Sequence, residues 1–193
     1  MTKIKSLVNG KRACLLAFAL AFGLVAAAAP AATKPEIELL RNLESPNETT
    51  VCDALLGLEK GYPNSVEART KIVALLSDPR IRVHRKSARV LGAIGAKVDD
   101  DGIAKVTALL SAHDTETIID GLKALRGIGN AKAVPAILPL LASPDANVKR
   151  DSCRTLAVLA DKTAIPAIEP LLSDKNPKVQ EDARQAIARL REK

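Results

Sequence analysis

Hydrophobic positions repeat along this chain in long, near-regular steps. A leucine pair stands at Leu39-Leu40, Leu75-Leu76, Leu109-Leu110, Leu140-Leu141 and Leu171-Leu172. Successive pairs are 36, 34, 31 and 31 residues apart, so the spacing settles to a fixed period toward the C-terminus. A period in this range marks a solenoid, in which each unit buries its apolar face only against its neighbours. Ile72, Val106, Ile137 and Ile168 each precede a leucine pair by three residues and share its helical face. The second half of each unit repeats too. Val83, Thr117, Val148 and Val179 open it, and the small residues Ser87, Gly121, Ser152 and Ala183 follow four positions on. Leu91, Leu125, Leu156 and Ile187 stand eight positions on; Ile94, Ile128, Leu159 and Leu190 stand eleven on. Offsets of 0, 4, 8 and 11 mark one face of an α-helix. The small residue lets that helix approach its partner closely.

Between the two halves lie Ser77-Asp78-Pro79, Ser143-Pro144-Asp145 and Ser173-Asp174. Their oxygens are expected to accept hydrogen bonds from the free amides that open the second helix. Gly95 and Gly129 are expected to end helices in left-handed caps. Pro135 and Pro166 suit a first helical turn, where no amide donor is needed. Pro139 and Pro170 fall within the same helices, where each removes a backbone bond and should bend its helix. No stretch sustains the alternation of a strand. The pattern predicts an all-α chain of about four to five helix pairs.

Ala133-Val134-Pro135-Ala136-Ile137 with Leu140-Leu141, and Ala164-Ile165-Pro166-Ala167-Ile168 with Leu171-Leu172, resemble the first helix of HEAT repeats. Val83 through Ser87-Ala88 to Leu91-Gly92-Ala93-Ile94-Gly95 resembles the second. The 31-residue unit is shorter than ordinary HEAT units and is more similar to the compact HEAT-like repeats of phycobilin lyases and many bacterial proteins. The resemblance covers residues 66–193 and implies a right-handed α-α superhelix. Residues 32–65 match only in outline and are expected to form an irregular N-terminal capping helix pair. The resemblance specifies fold far better than function.

The net charge of +7 suggests nucleic acid until it is located. Lys3, Lys5, Lys11 and Arg12 lie in the first 31 residues, which carry no acid; the remaining 25 basic residues face 22 acids. A basic stretch ending at Lys11-Arg12, an apolar run from Ala13 to Ala29 and the small residues Ala29-Pro30-Ala31 read as a secretory signal peptide over residues 1–31. A cut near Ala31 is favoured, with Val25-Ala26-Ala27 a second site. The alternative is an uncleaved inner-membrane anchor, because Ala13 to Ala32 is just long enough to span a bilayer. Export permits disulfides. Cys52 and Cys153 fall in non-adjacent units, too far apart for a bridge within the chain, and are read as buried apolar residues.

HEAT solenoids hold partners on the second-helix surface and the loop edges. Six positions into that helix stand Arg89, Lys123, Arg154 and Gln185; three positions in stand Lys86, Asp120, Asp151 and Asp182. Stacking sets a basic row beside an acidic one. On one reading, Asp120–Lys123 and Asp151–Arg154 are solvated i,i+3 pairs of small consequence. On the other, the rows are a charged track for a protein segment, with Arg89 and Arg154 as anchors. A denser cluster lies at Arg80, Arg82, His84, Arg85, Lys86 and Arg89, where positive charge opposes the dipole of the helix it opens. Arg82, Arg85, Arg89, Lys123 and Arg154 are the candidate partner contacts. Asp99-Asp100-Asp101-Gly102 lacks the alternating carboxylates and closing Glu of a calcium loop, and is expected to project into solvent with Asp101 as a helix cap.

Enzymatic signatures are missing from the sequence. His84 and His113 fall in different units without metal-ligand spacing, and no nucleophile elbow, Walker loop or dinucleotide fingerprint occurs. No cofactor or metal is expected. Phe18 and Phe22 lie in the leader, leaving Tyr62 as the one aromatic beyond it, whereas flat ligands and unpaired bases need stacking. The reading is an exported, noncatalytic scaffold that binds another protein, without nucleic acid, and meets the membrane only if the leader is retained. Its rivals are a phycobilin lyase-like accessory enzyme and a nucleic-acid binder using the Arg80–Arg89 cluster.

Overall fold

The structure, a computed structural model, describes residues 33–95 and 98–193. The predicted leader lies outside them. Among the described residues there is no strand, and no helix is long and apolar enough to cross a membrane. The helices of the described residues come in five pairs: α1 (Lys34–Asn42) with α2 (Glu48–Gly61), α3 (Val66–Ala74) with α4 (Ile81–Ile94), α5 (Asp100–Ala108) with α6 (Thr115–Ile128), α7 (Val134–Ile137) with α8 (Ala146–Leu159), and α9 (Ile165–Ile168) with α10 (Pro177–Arg191). The second helices α2, α4, α6, α8 and α10 pack side by side in chain order. The first helices pack mainly on their own partners and the turns beside them. This translational order is the solenoid that the leucine period predicts.

Burial follows the predicted offsets. Ile72, Val106, Ile137 and Ile168 are all buried, as are Val83, Thr117, Val148 and Val179 at the head of the second helices. Leu91, Leu125 and Leu156 are at most 1% exposed. Each such side chain contributes about 1.5–3 kcal/mol relative to exposure. Residues that face a neighbour on the next second helix are sealed as well: Ala88, Leu122 and Cys153 at one position, Val90, Ala124 and Thr155 two further on. At the first of these positions α10 carries Arg184, which bonds to Glu181 and Gln180, so the outer face of the last helix is polar, as a capping unit requires. The leucine pair divides its work except in the third unit, where Leu109 and Leu110 are both buried. Leu76 and Leu141 are buried while Leu75 and Leu140 are half-buried, whereas in the last unit Leu171 is buried and Leu172 is exposed.

The first helices depart from a simple α-helix. Each of the last four units tightens into a 3-10 turn over its leucine pair, at Leu75–Ser77, Leu109–Ser111, Leu138–Ala142 and Glu169–Ser173. Pro139 and Pro170 stand early in the last two turns. The turns that hold these prolines run for five residues, against three in the two units without them. Without an amide to donate four residues back, the chain continues with tighter bonds. Units without those prolines tighten too, so the turn belongs to the repeat itself.

Capping differs in detail from expectation. Asp145 caps α8, accepting from the amides of Asn147 and Val148. Asp78 and Asp174 act two residues before the capping positions, accepting from the amides of Arg80 and Asn176; Asn176 itself caps α10. Asp99, and not Asp101, caps α5 by accepting from the Gly102 amide at 2.9 Å. Asp100 and Asp101 therefore lie inside the helix, paired with Lys132 and Lys105. Acidic side chains are favoured in a first turn, so the run opens a helix. Gly95 and Gly129 both have positive φ, at 72° and 76°. Only Gly129 is a left-handed cap, its amide donating to the Leu125 carbonyl.

Candidate protein-interaction surface

The side of α2, α4, α6, α8 and α10 turned away from the first helices is a continuous ridged face. Its charged residues are sorted by depth. Asp120, Asp151 and Asp182, at equivalent positions of three successive units, are only 5–7% exposed. A buried carboxylate must be paired, and each is paired with the preceding unit. Arg85 Nε donates to Asp120 at 2.8 Å, Arg126 Nη1 to Asp151 at 3.3 Å, and Arg150 Nε and Arg154 Nε to Asp182 at 2.7 and 2.9 Å. Donation to Asp120, and to Glu116 beside it, raises the Arg85 guanidinium pKa above its already high ordinary range. The expected pairs Asp120–Lys123 and Asp151–Arg154 are therefore corrected. Buried between helices, these carboxylates reach the neighbouring unit's guanidinium and not the cation one turn along. Thr155 adds to the same seam, its hydroxyl reaching the carbonyls of Asp151 and Leu122.

The candidate residues separate into struts and free charges. Arg85 is a strut between α4 and α6, bonded to both Asp120 and Glu116. Arg80 is another: its guanidinium grips Asp78 and donates to the Ser45 and Pro46 carbonyls of the α1–α2 turn. That pairing holds the Asp78 carboxyl below the usual carboxylate range. Arg82 remains well exposed but pairs with Glu48 on α2 at 2.8 Å. Arg154 binds Asp182 through Nε alone and is 44% exposed. Arg89 and Lys123 are exposed and make no ion pair among the described residues. The same holds for half-buried Lys86, which occupies the position that carries Asp in the next three units.

Two grooves open on this face. The first, of about 390 Å³, is lined by Thr49, Cys52, Asp53 and Leu56 of α2, by Arg82, Arg85, Lys86 and Arg89 of α4, and by Asp120. It joins three of the five predicted contacts. The second, of about 280 Å³, holds Arg154 with Arg126, Asp182, Gln185 and Arg189 over an apolar floor of Ala157, Val158 and Ala186. Lys123, on α6, stands on the same face between them. Arg126 and Arg189 escape notice in the sequence because they lie outside the two aligned rows. For Arg126 the signal is the constant place of the buried aspartates, each of which needs a basic partner; Arg189 has no such signal.

The cysteines behave differently from each other. Both are free. Cys153 is fully buried, and burial pushes its thiol up to about 12. Cys52 was expected to be buried as well but is half-exposed in the first groove, because α2 turns that side toward the open face. Desolvation raises its thiol too, so neither is poised as a nucleophile. Among the described residues, no group of three or more metal-ligating side chains comes together.

Residues 103–188 match the family model for HEAT repeats. No curated protein matches the chain. Among solved structures, the complex of CpcE and CpcF of phycocyanin lyase from Nostoc sp. PCC7120 is similar at 21% identity and a TM-score of 0.71, over 87% of this chain and 68% of that one. An engineered protein is similar at 23% identity and a TM-score of 0.62, over 82% and 80% of the two chains. A designed armadillo repeat protein in complex with the peptide (KR)4 is similar at 20% identity and a TM-score of 0.59, over 79% and 80%. These likenesses establish the fold as that of helical-repeat solenoids.

Proposed function

We propose that this chain, a HEAT-repeat protein over residues 103–188, is an exported, noncatalytic scaffold that holds another protein on its second-helix face. Residues 1–31 serve as the leader, residues 32–65 cap the stack, and residues 66–193 carry the repeats. One observation carries the reading. The face buries its aspartates in internal bonds yet leaves Lys86, Arg89 and Lys123 unpaired among the described residues. Structural arginines sit at inter-unit seams, while these cations contribute nothing visible to the stack. Arg82 and Arg154, each with an exposed guanidinium, extend the contact set; Arg85 supports it from below. The two-protein CpcE–CpcF complex and the peptide-bound armadillo design support a protein as the partner.

The test is photo-crosslinking in intact cells. A crosslinking residue is placed at Arg89 or Lys123, and in parallel at Ala104 on the first-helix side. One partner should be trapped from the first two positions and not from the third, and Arg89→Glu should abolish trapping at Lys123. Equal trapping from both sides, or capture indifferent to the charge reversal, would remove this face from the function.

A further inference from the structure

We infer that the segment held on this face is acidic and extended, with carboxylates recurring about every third residue. The inference rests on the reading of the face as a protein-binding surface. Charge gives the first reason. Asp120, Asp151 and Asp182 are each committed to an arginine of the neighbouring unit, so these three acids are neutralised from within; Asp53 of α2 is an exposed acid in the first groove, where four basic side chains outnumber it. The cations left to meet a partner are Lys86, Arg89 and Lys123, with the outer nitrogens of Arg154 and the exposed Arg189 further along. Lys86 and Arg89 are like charges one turn apart on α4, an arrangement that is mildly unfavourable until an anion lies between them. Thr49, a residue with a hydroxyl able to donate, lines the same groove.

Geometry gives the second. Arg89, Lys123 and Arg154 occupy the same position of three successive helices, so they form a row across the stack. Packed helices lie about 8–10 Å apart, and an extended chain advances about 3.3 Å per residue, so one unit corresponds to about three residues of the guest. In the last unit this position is Gln185, but Arg189, one turn further along α10, supplies the charge within the same groove as Arg154. A guanidinium fork grips a carboxylate well, which suits Arg89 and Arg154 as the two ends of the row. A nucleic-acid strand would meet the same charge but no stacking platform: the one aromatic among the described residues, Tyr62, lies at the end of α2 away from the row.

Fluorescein-labelled peptides of identical length separate the possibilities by anisotropy with the full chain. One carries four glutamates at every third position, a second carries the four in succession, and a third replaces them with lysines. A single-stranded oligonucleotide of similar charge is the fourth probe. The spaced acidic peptide should bind at least about tenfold more tightly than the clustered one, and the lysine peptide should not bind. Arg89→Glu and Lys123→Glu should each weaken it about tenfold, whereas Lys105→Glu on α5 should not. Far-UV circular dichroism confirms that each variant keeps its helices. Equal affinity for spaced and clustered peptides, tighter binding of the oligonucleotide, or indifference to Arg89→Glu would overturn the inference. If no acidic peptide binds while crosslinking still traps a partner at Arg89, the acidic guest is wrong and the protein-binding face stands. If both fail, the face itself is wrong.

Discussion

The backbones of Gly92 on α4 and Gly127 on α6 are in direct contact. A β-carbon built on Gly127 would stand 2.0 Å from the Gly92 carbonyl oxygen and 2.6 Å from its carbonyl carbon; one on Gly92 would stand 2.7 Å from the Ala124 α-carbon. The obstructing atoms are backbone, so no side chain can swing aside. Alanine in place of glycine raises helix propensity by at most about 1 kcal/mol. Forcing the two helices apart costs about 1–3 kcal/mol or more. Gly127→Ala is therefore expected to destabilise despite the better helix former. Denaturant unfolding measures the sign, and a more stable variant would refute the contact.

Arg85 and Arg89, one turn apart, should respond in opposite ways to charge reversal. Arg85→Glu places a third carboxylate beside Asp120 and Glu116 at a largely buried seam, and about 1–3 kcal/mol should be lost. Arg89→Glu removes an exposed, unpaired cation and should change stability by no more than about 0.5 kcal/mol. Partner capture should fall in both, but only for Arg85 together with a lower urea midpoint. Equal midpoints would mean that the inter-unit bond is not made.

Leu156 is fully buried in the last turn of α8. Leu156→Ala should cost about 2–5 kcal/mol, the range for leucines whose cavity cannot collapse. A negligible loss in chemical denaturation would show that the apolar stripe of α8 is misplaced.

His84 supplies a pH dependence. Its Nε2 is buried with no hydrogen-bond partner, and desolvation lowers its pKa from the ordinary 6.5, against weaker opposing pulls from Asp114 and Asp78. A depressed pKa means that the unfolded chain takes the proton first. Stability is thus complete above about pH 6.5 and declines as pH falls toward the folded-state value. Urea midpoints should drop between about pH 7.5 and pH 5.5. His84→Leu should flatten that drop, and an unchanged slope would assign it to other groups.

The stack was legible in the sequence because burial recurs. Thr117 reads as core despite its hydroxyl because its counterparts Val83, Val148 and Val179 are apolar, and all four are buried. What was not legible depends on how one unit is rotated against the next. The bond from Arg85 to Asp120 joins residues 35 apart, and that from Arg126 to Asp151 joins residues 25 apart. No single helical wheel contains either pair, so the aspartates looked like partners of the cations one turn along. Gly127 was silent for the same reason, since its meaning lies wholly in Gly92. The five candidate contacts share one face of the stack, but sequence did not separate Arg85, spent inside the stack, from Arg89, which is not.

The meeting of Gly92 and Gly127 also sets how the molecule yields under load. A chain of units that touch only their neighbours stretches by opening its joints one at a time, the weakest first. The joint where two main chains abut has no side-chain cushion to compress and little slack to release. Twisting or pulling should therefore be taken up at the other joints, while Arg89 and Lys123, carried on either side of the stiff one, keep their separation like two marks on a rigid ruler.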